Sequence, residues 1–98
     1  MCGAPVQDLS LEGIDVAAET IIQGTVTRGG EPQGGAYVRL LDSSGEFTAE
    51  VVTSATGAFR FFARPGSWTV RALASGDATA DAKVEASQGE VTETSIAL

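Results

Sequence analysis

Ninety-eight residues with 43% hydrophobic and 19% charged side chains, and 12 glycines, describe one globular domain rich in turns. The chain has no histidine and one cysteine, which excludes a histidine general base, a Ser-His or Cys-His nucleophile pair, an internal disulfide and a tetrahedral zinc site. A net charge of −7 argues against nucleic acid and anionic membranes as partners.

Residues 1–19 form an acidic segment carrying Asp8, Glu12, Asp15 and Glu19, without a lysine or arginine and interrupted by Pro5 and Gly13. Two readings stand for it: a mobile leader, or an arm whose Leu9, Leu11, Ile14 and Val16 dock on the domain. A secretory signal needs a basic start and a continuous apolar stretch, and neither is present. No apolar segment precedes Cys2, and no run is long enough to span a bilayer. A lone cysteine suits a reducing compartment, so the expected location is cytoplasmic.

From residue 20 onward, turn signals recur at the spacing of a β-sandwich or barrel. The expected strands are 20–28, 36–42, 47–54, 58–62, 68–74, 78–86 and 91–98, which makes residues 20–98 a single domain of seven antiparallel strands. Gly29-Gly30, Gly34-Gly35, Ser43-Ser44-Gly45, Pro65-Gly66, Gly76-Asp77 and Gly89 separate them. Alternation assigns the faces. Phe47, Phe59, Phe61, Trp68, Val38, Leu40, Val70, Val84 and Ile96 point inward, and Tyr37, Arg39, Leu41, Glu50, Val52, Arg71 and Leu73 point outward.

Gly24-x-Val26, Gly34-Gly35-Ala36-x-Val38-x-Leu40, Thr53-x-x-x-Gly57-x-Phe59-x-Phe61 and Pro65-Gly66-x-Trp68-x-Val70-x-Ala72 together resemble the carboxypeptidase regulatory-like domain over about residues 20–75. That resemblance implies a transthyretin-like, seven-stranded sandwich with immunoglobulin-like Greek-key connections. Trp68 stands where such domains usually have tyrosine, and Ser54-Ala55-Thr56 where they usually have acidic turn residues. A second resemblance covers nearly the whole chain, through Met1-Cys2, the acidic leader, the run from Val38 to Val52, Ala58 to Phe62, and Pro65-Gly66-Ser67-Trp68-Thr69. These residues are similar to a family of small actinobacterial proteins of unknown function, often encoded beside a rhodanese-type thiosulfate sulfurtransferase. The resemblance implies a place in sulfur metabolism but carries no catalytic residue across.

The residues themselves offer little chemistry. Cys2 is the only thiol, and a flexible arm bearing it could take up a sulfane sulfur as a persulfide. No histidine or neighbouring arginine is there to stabilise its thiolate, so an inert exposed cysteine is the simpler reading. Asp42, Glu46, Asp77 and Asp81 lie in or near expected loops without ordered calcium-ligand spacing, and read as solvated turns. The glycine pairs do not precede a helix and carry no Lys-Ser/Thr, so they are turns and not phosphate loops. A transthyretin-related hydrolase relies on histidines that are absent here.

What remains is a surface. Arg39 and Arg71 fall on neighbouring strands if the transthyretin-like order holds, among Tyr37, Leu41, Val52 and Leu73, with Glu50 nearby. Arginine and tyrosine are enriched at interfaces, which suggests a contact face. Three other readings are a leader folded over the face through Asp8 or Glu12, simple pairing of an arginine with Glu50, and a small-anion site for sulfate or thiosulfate. The expectation is therefore a non-catalytic accessory or adaptor protein without cofactor or metal. It binds a sulfurtransferase or itself, with a Cys2 sulfur carrier or a module pairing through sheet edges as alternatives.

Overall fold

The computed structural model describes residues 11–98. Its strands are β1 (Ile21–Arg28), β2 (Glu31–Pro32), β3 (Tyr37–Leu41), β4 (Phe47–Val52), β5 (Ala58–Phe62), β6 (Gly66–Ala74), β7 (Ala78–Ala86) and β8 (Val91–Ala97). No helix occurs among the described residues, so none there is long and apolar enough to cross a membrane. Two four-stranded sheets result: β1 is flanked by β5 and the short β2 on one side and β8 on the other, and the second sheet runs β4-β3-β6-β7. The seven expected strands are all present, and the eighth is the two-residue β2, which folds back on the end of β1 at the Gly29-Gly30 turn.

One pairing departs from the antiparallel expectation. β8 runs parallel to β1, in unbroken register from Ile21 with Val91 to Thr27 with Ala97. Gly24 permits that approach, because a Cβ at this position would lie 1.7 Å from the carbonyl oxygen of Thr94. Nothing in the local sequence of β8 distinguishes a parallel from an antiparallel neighbour, since alternation is the same in both.

The core lies between the sheets. Ile22, Val26, Phe59, Phe61 and Ile96 come from the first sheet and meet Val38, Leu40, Val70, Ala72 and Ala86 of the second. Phe59 and Phe61 share a face of β5, with ring centroids 6.1 Å apart and planes tilted by 54°, a favourable aromatic arrangement. Ala49, Val51, Trp68 and Val84 are half-buried against the same core. Ile21 and Gln23 are also buried, although alternation turns them away from Ile22. Before β1, Ile14 and Val16 are half-buried, while Leu11 is exposed. This segment is anchored where Gly89 N–H donates to the Glu19 carbonyl at 2.8 Å.

Phe47 corrects the expected core, being 62% exposed. The cause is a register shift between β3 and β4: Leu40 pairs with Ala49, but Leu41 pairs with Phe47, leaving Thr48 unmatched. Such a bulge breaks strict alternation at its own position. Leu41 is affected at the same place and is buried at 6%, directly after buried Leu40, where an outward side chain was expected.

Candidate functional site

Sheet register decides what the outer face of β4-β3-β6-β7 presents. Arg39 of β3 lies opposite Glu50 of β4 on one side and Arg71 of β6 on the other, and Arg71 lies opposite Asp81 of β7. A single row therefore crosses the sheet in the order Glu50, Arg39, Arg71, Asp81. Arg39 Nε donates to Glu50 Oε2 at 2.7 Å. Arg71 holds Asp81 through two bonds, Nε to Oδ1 at 2.8 Å and Nη2 to Oδ2 at 3.0 Å. The hydrogen bond from Arg71 holds the Asp81 carboxyl below the usual range, against the opposing effect of desolvation and aided by the Arg71 charge.

The two arginines are adjacent like charges, and each is neutralised from its outer side. This corrects the reading of Asp81 as a loop carboxylate, since it sits mid-strand in β7 and is the partner of Arg71. Strand neighbours set that pairing, and β7 was not assigned a neighbour from sequence. Glu50 takes Arg39, as one of the simpler readings had it.

Beside the charged row runs an apolar one. Val52, Tyr37, Leu73 and Thr79 occupy the next register positions on the same face. Tyr37 is 52% and Val52 48% exposed, whereas Leu73 is half-buried. Six of the seven expected contact residues, Tyr37, Arg39, Glu50, Val52, Arg71 and Leu73, thus share one open face in two adjacent rows. Leu41 is the exception, buried beside the bulge. The arrangement offers two charge-balanced, hydrogen-bonded arginine–carboxylate pairs next to exposed apolar surface. An oxyanion on Arg39 or Arg71 would share its guanidinium with a carboxylate already in place.

Asp42 lies in a turn, as expected. Asp42 caps the β3–β4 turn, its Oδ1 accepting from Ser44 N, Ser44 Oγ and Glu46 N at 2.9, 2.6 and 3.0 Å. Those bonds, the Ser44 hydroxyl foremost, hold its carboxyl below the usual range. Cys2 and Asp8 lie outside the described residues.

The chain matches the model of the family described as "Protein of unknown function (DUF1416)" over residues 2–98. It is 55% identical over 98 residues to each of the uncharacterized proteins Rv0814c and Rv3118 of Mycobacterium tuberculosis, covering 98% of this chain and 97% of each relative. Among solved structures, the TIE protein of Bacillus anthracis superposes with a TM-score of 0.67 at 15% identity, covering 79% of this chain and 16% of that one. The dioxygenase domain of a dioxygenase carbohydrate-binding protein fusion from Streptomyces gives 0.64 at 13% identity, covering 100% and 95%. The major pilin subunit BcpA of Bacillus cereus gives 0.63 at 14%, covering 82% and 29%. At such identities the likeness is one of fold, an all-β architecture of packed sheets. By the match along its length and its close mycobacterial relatives, the chain belongs to the DUF1416 family.

Proposed function

We propose that this protein is a non-catalytic accessory or adaptor that binds a protein partner through the outer face of β4-β3-β6-β7. The observation that carries the reading is the placement of exposed Tyr37 and Val52 beside the arginine pair in consecutive rows of one open face. Side chains already fixed by ion pairs have less rotamer entropy to lose on binding, so Arg39 and Arg71 form a pre-organised platform. Tyrosine and arginine in such a setting are the types that anchor interfaces. The fold is read as transthyretin-like, in keeping with the Gly34-Gly35 entry to β3 and the Pro65-Gly66 entry to β6. A rhodanese-type thiosulfate sulfurtransferase as partner follows from the resemblance set out above, and a cytoplasmic location is in keeping with the lone cysteine.

The test uses the purified sulfurtransferase and calorimetric titration. Wild type binds, and Tyr37→Ala combined with Val52→Thr weakens binding at least about tenfold, as truncation of a central anchor does. Absence of binding by wild type rejects this partner, and equal binding by a folded double variant rejects this face. Reversing both arginines to glutamate is a poorer probe, because each new carboxylate would sit against Glu50 or Asp81 and destabilise the sheet itself.

A further inference from the structure

The two sheets treat their outer faces differently. On the first sheet, alternation from the core residues Ile22 and Phe61 turns Ile21 and Gln23 of β1, and Arg60 and Phe62 of β5, away from the core. Register sets them in rows across β8, β1 and β5, with Ile21 between Val91 and Phe62, and Gln23 between Glu93 and Arg60. A sheet face open to solvent leaves such side chains half exposed. The second sheet shows this, with Tyr37 of the central strand β3 52% exposed and the side chains of Arg39 and Arg71 44% and 41%. On the first sheet Ile21 is fully buried, Gln23 is 3% exposed, and Nη2 of Arg60 is shielded from solvent. Phe62 and Glu93, on either side, remain exposed. The cover over this face is therefore narrow and follows β1 on its β5 side, as a single length of chain would.

Residues 11–19 are the one stretch of described chain that lies outside both sheets and joins no two strands. Two overlapping turns reverse this stretch directly before β1: Ala18 N–H donates to the Asp15 carbonyl at 3.0 Å, and Glu19 N–H to the Val16 carbonyl at 3.3 Å. The reversal is fixed against the β7–β8 turn, where Gly89 N–H donates to the Glu19 carbonyl and a Cβ on Gly89 would lie 3.5 Å from the Ala17 carbonyl oxygen. Ile14 and Val16 are half-buried, whereas Glu12, Asp15 and Ala17 are exposed, so the stretch has one side turned inward. It carries Glu12, Asp15 and Glu19 and no base, and the covered face carries Arg60. Opposite charge on the two parts favours their contact.

We infer that residues 11–19 form a strap across the outer face of the first sheet, seating Ile14 and Val16 over Ile21 and Gln23. The strap is a third layer on one side of the sandwich. While seated, it closes that sheet to partners and leaves the Tyr37–Val52 face as the open one. The inference stands apart from the adaptor reading, which concerns the opposite sheet.

Thiol labelling tests it in the full-length chain carrying Cys2→Ser, so that an introduced cysteine is the sole thiol. Each rate of reaction with N-ethylmaleimide is taken relative to the same variant in urea. With the strap seated, Gln23→Cys reacts at least about a hundredfold more slowly than Val52→Cys on the open face. Ile14→Asp combined with Val16→Asp unseats the strap and speeds Gln23→Cys at least about tenfold, while Val38→Cys in the core stays slow. Labelling of Gln23→Cys as fast as that of Val52→Cys, or a rate unmoved by the paired substitution, overturns the inference. Should Val38→Cys quicken as well, Ile14→Ser with Val16→Ser repeats the comparison on a less perturbed fold. Equal quickening of Gln23→Cys and Val38→Cys there also overturns it, because the segment would then act on the whole domain and not as a cover.

Discussion

Thr53 does more than end β4. Its hydroxyl accepts from Ala36 N at 2.9 Å and donates to the Gln33 carbonyl at 2.7 Å, while its own N–H donates to the Ala36 carbonyl at 2.9 Å. The residue is buried, and its side chain and main chain together satisfy four backbone groups of the loop between β2 and β3, those of Gln33 C=O, Gly35 N–H, Ala36 N–H and Ala36 C=O. Thr53→Val keeps the shape and leaves the Ala36 N–H without its partner, which costs about 2 kcal/mol, whereas Thr53→Ser retains the bonds and loses about 1 kcal/mol or less. Chemical denaturation of both variants checks the order, and equal losses would mean that the methyl group, not the hydroxyl, matters. Gly24→Ala is the more damaging change at this scale. The added carbon would meet the Thr94 carbonyl, a backbone atom that moves only if β1 and β8 separate, so the loss is at least about 3 kcal/mol. Gly57 is held by similar means, since its φ is +76° and a Cβ would approach the Val26 carbonyl to 2.4 Å. The Thr53 and Gly57 of the sequence motif are therefore a latch and a close approach. Both were visible as residue types, but their partners, 17 and 20 residues away for Thr53, were not.

Among the elements, alternation read faces well wherever a strand is regular. β7 is the clearest case, with Ala78, Ala80, Ala82 and Val84 half-buried, Ala86 buried, and Thr79, Asp81, Lys83 and Glu85 exposed. It failed at Leu41 and Phe47 because a bulge is a property of two strands together, and neither sequence alone announces it. On β1 no such division holds, because Ile21 and Gln23 are buried as well as Ile22 and Val26. The candidate row shows the same division: the outward direction of Arg39, Glu50 and Arg71 was legible, but Asp81 became their fourth member only through the β6–β7 register. That pairing has a pH signature. Asp81 titrates below its ordinary value of 3.8 in the folded chain because Arg71 hydrogen-bonds its charged form. The unfolded chain thus takes up the proton first, so the contribution is whole above about pH 4 and is lost as pH falls below that value toward the lowered one. Asp81→Asn flattens the fall in stability with acid below about pH 4, measured by urea unfolding at several pH values. The difference stays under about 1 kcal/mol, because the two side chains are 41% and 43% exposed and an open ion pair is well screened. An acid limb as steep as that of wild type would show that Arg71 does not favour the charged carboxylate in solution.

At the scale of the whole molecule, the parallel pairing of the first and last strands is the feature with the widest consequence. Residues paired between β1 and β8, such as Ile21 with Val91, have nearly the entire domain between them in the chain. β1 already bonds β5 and β2 along its other edge, so the first sheet is a platform onto which β8 closes. Contacts this distant in sequence carry a large loop-closure entropy, and domains built on them fold in milliseconds to seconds. The β6–β7 hairpin, closed by a three-residue turn in which Gly76 and Asp77 both have positive φ, is local and needs no such closure. The second sheet is therefore expected to form early and β8 to dock late. Ile96, buried at 2% in the core, separates these possibilities. Ile96→Ala removes about 2–4 kcal/mol of stability through the cavity it leaves. If β8 docks after the rate-limiting step, the loss is seen almost wholly as faster unfolding, with the refolding arm of the chevron unchanged. Val70→Ala, in the centre of β6 and equally buried, slows refolding instead. Should Ile96→Ala slow refolding as much as Val70→Ala does, the closing strand belongs to the nucleus, and the parallel β1–β8 pair is where folding of the sandwich begins.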